Sequence, residues 1–199
     1  MEGSGMLTVA PLMIEHRLIE RMIRVLGSEL ALIASSSNPN LVLVDSAVDF
    51  IRTYADRTHH GKEEEILFRE LECKKLSAQH KAVMDTLIKE HMFARDQTAA
   101  LMEAKERHLD GDLGALAEMA ARMRTLIEFY PKHIYTEDQE FFIPVMDYFT
   151  LAEQQAMLGE FRQFDRRMIH EKYLHVVRRF ELERNLPGAK SKVDWIQTL

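Results

Sequence analysis

Cysteine occurs once in the 199 residues, proline five times and glycine eight, and each scarcity removes a class of structure. The lone Cys73 has no partner for an intramolecular disulfide, which excludes a disulfide-stapled scaffold. So few chain breakers among many Leu, Ala, Met, Glu and Arg residues leave little room for the dense turns of a β-sandwich. No segment shows strand-like alternation of any length. No apolar run approaches the length of a membrane span, and Met1 to Met6 lack the basic region and apolar core of a secretory leader. A cytoplasmic location with no membrane attachment is therefore expected. Positive charge is not in excess either: 26 Lys and Arg against 32 Asp and Glu leave a net charge of −6, which argues against a nucleic-acid surface.

What remains is 46% apolar and 29% charged, enough for one well-filled core in a chain of this length. Four long amphipathic stretches are separated by short punctuation, and a fifth follows. The first runs from about Val9 to Ala34, with Leu12, His16, Ile19, Ile23, Leu26 and Leu30 on one stripe. Ser35-Ser36-Ser37-Asn38-Pro39-Asn40 ends it, and the second extends from about Leu41 to Cys73. Ser77 is a candidate N-cap for the third, which breaks at Leu109-Asp110-Gly111-Asp112. The fourth, from about Leu113 to Tyr148, contains Pro131, where a kink is expected. Thr150-Leu151-Ala152-Glu153 is a capping-box signature for a fifth helix that reaches Arg184 ahead of Pro187-Gly188. These lengths and short loops predict an all-α fold: an up-and-down antiparallel four-helix bundle with an additional C-terminal helix. The expected organisation is a bundle over 7–149, a helix over 150–186 that packs on the bundle or forms a homodimer contact, and a tail over 187–199.

Histidine and acid recur at helical spacing. Five histidines have a carboxylate four positions on, one turn away on the same helix face. Two of these pairs, His59/Glu63 and His133/Glu137, stand out because each interrupts an apolar stripe: Ala55, His59, Glu63, Leu67, Leu71 and Phe129, His133, Glu137, Phe141, Val145. An imidazole and a carboxylate buried together are costly unless hydrogen-bonded, paired or bound to a metal. The neighbouring register, Asp56, His60, Glu64, Phe68, Glu72, reads as a helix flank. His59 and Glu63 are thus preferred as ligands, with His60 and Glu64 behind them or as alternates.

The other two helices each carry one histidine on the apolar stripe, His16 and His91. Each alone would read as a core histidine satisfied by a neighbour. Four imidazoles and two carboxylates exceed what one tetrahedral zinc needs and suit two metal ions bridged by carboxylates, with iron or manganese favoured by nitrogen and oxygen donors. His80 lies too far along its helix to join them, and His108, His170 and His175 sit where structural or exposed roles are expected. Tyr54, Tyr130 and Tyr135 are within reach of the site or its entrance.

These residues resemble the hemerythrin-like (HHE cation-binding) family. The resemblance covers about Leu7 to Phe149 and rests on Ile14-Glu15-His16-Arg17, His59-His60-x-x-Glu63-Glu64-x-x-Leu67-Phe68, Glu90-His91 and His133-Ile134-x-x-Glu137-Asp138-x-x-Phe141-Phe142. It implies a four-helix bundle around a non-haem di-iron centre, two iron ions with an oxo or hydroxo bridge, replaceable by manganese or zinc in purified protein. Carried over, His16, His59, His91 and His133 are imidazole ligands and Glu63 and Glu137 bridge, with Asp138 competing for the second bridge. The chain departs from oxygen-carrying members on the third helix, where Arg95 stands in place of a second histidine. It looks closer to bacterial HHE and iron-centre repair proteins. The expected function is binding or sensing of dioxygen, nitric oxide or peroxide, or iron handling under oxidative or nitrosative stress. The alternatives are a di-iron oxidase, peroxidase or nitric-oxide-reducing enzyme, and a metal-free helical interaction module.

Overall fold

The computed structural model describes residues 4–36, 38–165 and 167–186, and among them there is no strand. The first bundle helix, α1 (Ser4–Ser36), continues through Pro11. The second begins as α2 (Leu41–Phe50), capped by the Asn40 side chain, which accepts from the Leu43 amide at 3.0 Å. It then widens into two π-helical segments, π1 (Ile51–His60) and π2 (Glu63–Phe68), before closing as α3 (Arg69–Glu72). The third is α4 (Ala78–Leu109), with Ser77 as its N-cap accepting from the His80 amide at 3.1 Å. Gly111, at a φ of +92°, adopts the left-handed turn that separates it from the fourth. That helix is α5 (Ala115–Tyr135), π3 (Thr136–Phe141) and α6 (Phe142–Val145). Pro131 does not end α5; the departure from α geometry comes later, in π3.

Buried apolar residues form two clusters, and the order in which each helix meets them gives the direction of the chain. α1 contributes Val9 and Leu12 to one cluster and Leu18 to Leu26 to the other; α4 follows with Met84 and Leu87, then Ala94 and Leu101. The second and fourth bundle helices meet them in reverse, Val44 to Ala55 before Ile66 to Leu71, and Met123 to Tyr130 before Phe141 to Val145. The helices therefore alternate up and down. α1 packs on α5, α5 on α4, π1 on α4 and α1 on α2, so the second and fourth bundle helices lie diagonally across the bundle. Between the clusters, at one level on all four helices, lie Glu15 and His16, His59 to Glu63, His91, and His133 to Glu137. The polar residues identified by spacing thus form a layer that cuts the core in two.

The expected single fifth helix is instead two, α7 (Leu151–Phe164) and α8 (Arg167–Glu183). The capping box at Thr150 and Glu153 forms as the sequence indicates. The break falls at Asp165, whose backbone is extended, and no Pro or Gly marks it. Its cause is tertiary: the Asp165 carboxylate accepts from buried Lys62 at 2.5 Å, and Phe164 sits on Gly61, where an added Cβ would come within 2.9 Å of the ring. α8 lays Tyr173, Leu174, Val177 and Phe180 into the bundle core, so that these apolar residues are covered within the chain. The side chains of Met168 and His170, and the tail with Trp195, lie outside the described residues. No described helix is long and apolar enough to cross a membrane.

Candidate metal centre

The polar layer converges on one interhelical space. Donor atoms of His16, His59, Glu63 and Glu137 lie within 4.8 Å of one another, as do those of His60, His91 and His133. The two carboxylates span both groups. Glu63 places Oε1 3.2 Å from His59 Nε2 and Oε2 3.4 Å from His91 Nε2. Glu137 places Oε2 3.1 Å from His16 Nε2, and Oε1 3.2 Å from His133 Nε2 and 3.5 Å from His91 Nε2. None of these approaches is aligned as a hydrogen bond. Four ring Nε2 atoms and all four oxygens of Glu63 and Glu137 are buried without a hydrogen-bond partner. Unpaired buried polar atoms are rare, and this many aimed at one space fit cations rather than a packed core.

The outward nitrogens are all engaged on four of the rings. Glu15 takes His59 Nδ1 at 2.8 Å, Glu64 takes His91 Nδ1 at 2.6 Å, Glu90 takes His133 Nδ1 at 2.7 Å, and Asp138 takes His16 Nδ1 at 2.8 Å. A proton on Nδ1 donated to a carboxylate leaves the Nε2 lone pair facing inward, the tautomer a metal requires. In every case the carboxylate comes from the preceding bundle helix, and the fourth helix serves the first. Three of the four carboxylates are themselves anchored: Glu15 by Lys62, Asp138 by Arg17, and Glu64 by Arg95 at 2.8 Å, whose Nε also holds Asp56 at 2.7 Å.

The structure thus brings together His16, His59, Glu63, His91, His133 and Glu137, and sets Glu64, Arg95 and Asp138 behind them. Asp138 is used on His16, so the inward carboxylate on π3 is Glu137. His60 takes the alternate of its two expected places: its ring is 1% exposed, stacks on His91 with centroids 3.9 Å apart, and lies in the inner group. The widened helix is the reason. Successive side chains on an α-helix diverge by about 100°, and i to i−5 bonding, seen at Gly61 N–H to Asp56 C=O, narrows that angle enough for His59 and His60 both to face inward. Sequence reasoning assigned no role to Glu15, Glu90, Asp56 or Lys62. Glu15 and Glu90 had a signal, each preceding a ligand histidine, but each serves the ring of a neighbouring helix.

Burial first, and nearby charges second, hold His59 and His60 well below the usual imidazole range, and burial brings His91 down to about 4. His16 is lowered by burial against the pull of Asp138. Glu63 and Glu137 are pushed well above the carboxylate range by burial and by neighbouring carboxylates, Glu15 for the first and Glu63 for the second. Without metal, folded Glu63 and Glu137 keep protons that the unfolded chain releases above 4.5, so stability falls as pH rises through their folded range. The four lowered histidines have shed protons that the unfolded chain takes up below 6.5, so stability also falls on acidification. Thermal midpoints of chelator-treated protein should therefore fall away on both the acid and the alkaline side of a maximum. Bound cations favour ionised carboxylates, so metal-loaded protein should lose the alkaline decline. A metal-free profile that climbs steadily toward alkaline pH would contradict this account.

The remaining candidates lie elsewhere. His80 bonds the Tyr148 hydroxyl at 2.9 Å, and His175 is exposed. Tyr54 packs against Phe50 and Tyr173 in the core, and Tyr135 is 60% exposed, away from the centre. Tyr130 lines a cavity together with His60.

The family model described as the hemerythrin HHE cation-binding domain matches residues 8–143, well over half the chain. Comparison with curated proteins and with solved structures gives no match. With that match and the clustered buried histidines and glutamates, the chain belongs to the hemerythrin HHE cation-binding family and is a metal-binding helical protein.

Proposed function

We propose that this chain holds two iron ions between its four bundle helices and through them binds or senses dioxygen, nitric oxide or peroxide, or handles iron under oxidative or nitrosative stress. The observation that carries the reading is the set of four imidazole nitrogens and four carboxylate oxygens buried without partners around one space. His16 and His59 would serve one ion, His60, His91 and His133 the other, and Glu63 and Glu137 would bridge them. Nitrogen and oxygen donors without thiolate suit iron or manganese, and five imidazoles with two carboxylates leave room for an exogenous ligand. Bound there, the ions supply open coordination and a change of oxidation state. The chain's own part is to neutralise much of their charge with Glu63 and Glu137, to fix each ring through its outward carboxylate, and to exclude water with an apolar cluster on either side. A metal-free interaction module is disfavoured, since it would leave those eight atoms unpaired.

The test is anaerobic reconstitution with ferrous iron followed by exposure to air. About two irons per chain, with the charge-transfer bands of a ferric pair, is the expected result. Iron far below that ratio, removed by a mild chelator and without such bands, would overturn the reading.

A further inference from the structure

One cavity reaches the centre from outside, beside His60, between π1, α4 and α5, with a volume of about 340 Å³. A water in liquid takes up roughly 30 Å³, and cavities of about 300 Å³ or more are the size that holds organic ligands. The space is thus several times larger than a diatomic or hydrogen peroxide needs. Its wall includes Ile51, Ala94 and Ala99. Arg52 and Arg95 are balanced by Asp56 and Asp96, so no net charge selects an ion. The lining hydroxyl of Thr98 is occupied by the Ala94 carbonyl at 2.7 Å. That of Tyr130 is not: the residue is 1% exposed and its oxygen has no hydrogen-bond partner. A buried phenol without a partner costs stability and points to a ligand it is shaped to meet.

We infer that this cavity is a binding chamber for a neutral organic molecule ending in an oxygen acceptor, and, given the proposed iron centre, for an alkyl hydroperoxide in preference to hydrogen peroxide. Its alkyl body rests on Ile51, Ala94 and Ala99, and its oxygen accepts from Tyr130 beside His60. The inference rests on the di-iron reading for the identity of the ligand, and on the chamber itself for its size and polarity.

The probe is cumyl alcohol, which has the body of a hydroperoxide and no reactive bond, titrated calorimetrically into iron-loaded protein whose metal content is measured on the same sample. Saturable binding at one site per chain is expected. Ala99→Phe, which fills the chamber from its half-exposed wall, should weaken binding at least tenfold with iron content unchanged. Tyr130→Phe, which keeps the ring and removes one neutral hydrogen bond, should weaken it about threefold to tenfold. Full iron content with no saturable binding, or binding indifferent to Ala99→Phe, overturns the chamber and leaves the metal centre standing. Failure of the wild-type chain to hold iron overturns the di-iron reading, and the hydroperoxide assignment with it.

Discussion

Replacing Glu63 and Glu137 together by leucine is expected to abolish metal binding and, in the same protein, to raise the melting temperature of the metal-free fold. Both carboxylates are fully buried, neither accepts a hydrogen bond, and both sit in the gap between two apolar clusters. Without a cation each can avoid charge only by holding a proton, and a protonated carboxyl without partners is still a desolvated polar group. Leucine is of similar size and continues the stripe from Ala55 to Leu67 on one helix and from Tyr130 to Phe141 on the other. Substituting buried ionisable groups with apolar residues often stabilises by about 1–4 kcal/mol, and each kcal/mol is about 2–4 °C in a chain of this size, so a rise of roughly 5–10 °C is anticipated. Iron analysis and a thermal melt on the same preparation check both halves. A variant that melts several degrees lower than metal-free wild type, or that keeps its iron, would refute the view that the layer is held against its own stability for the sake of a metal.

The opposite sign is expected at Lys62. This lysine is fully buried and pairs with Glu15 and with Asp165, and although burial alone would lower its pKa, those two carboxylates outweigh it and raise it. Lys62→Met removes the cation from Glu15, which is itself fully buried and holds His59. Breaking one side of a buried ion pair costs about 3–5 kcal/mol, and that is the loss anticipated in urea unfolding. Glu15→Gln in the Lys62→Met background should recover a good part of it, because the charge stranded at Glu15 is then gone, and the cycle of four proteins gives the coupling directly. Equal and additive losses in the two single variants would mean that Lys62 and Glu15 do not act on one another. Cleavage near Asp165 under limited proteolysis should also quicken in Lys62→Met, since the contact that breaks the C-terminal helix into α7 and α8 is removed.

Much of this was legible in the chain because the signals were local and repeated. Ser77 and the Thr150/Glu153 pair mark helix starts through their own backbone bonds, and the apolar stripes locate the bundle faces. The polar breaks in those stripes located six of the seven inward residues. His60 stayed open between two places because 3.6 residues per turn puts only one of two adjacent histidines on a face, and the π-helical widening that admits both has no composition signature. The break at Asp165 is invisible for a related reason, since it depends on Lys62 and Gly61, about a hundred positions earlier. The cross-helix partners Glu15 and Glu90 read as companions of the histidines beside them, when each is directed to the next helix.

Those four carboxylate-to-imidazole links also have a topology. They run from the first bundle helix to the second, the second to the third, the third to the fourth, and the fourth back to the first, so they form a circuit without a free end. Swinging any one helix outward must therefore break two links at once, the one it gives and the one it receives. Fraying from either end of the chain offers no gradual way in. Release of metal by helix movement would then require two links to break together, and that part of its exchange rate would report the cooperativity of the fold more than the strength of any single coordinate bond.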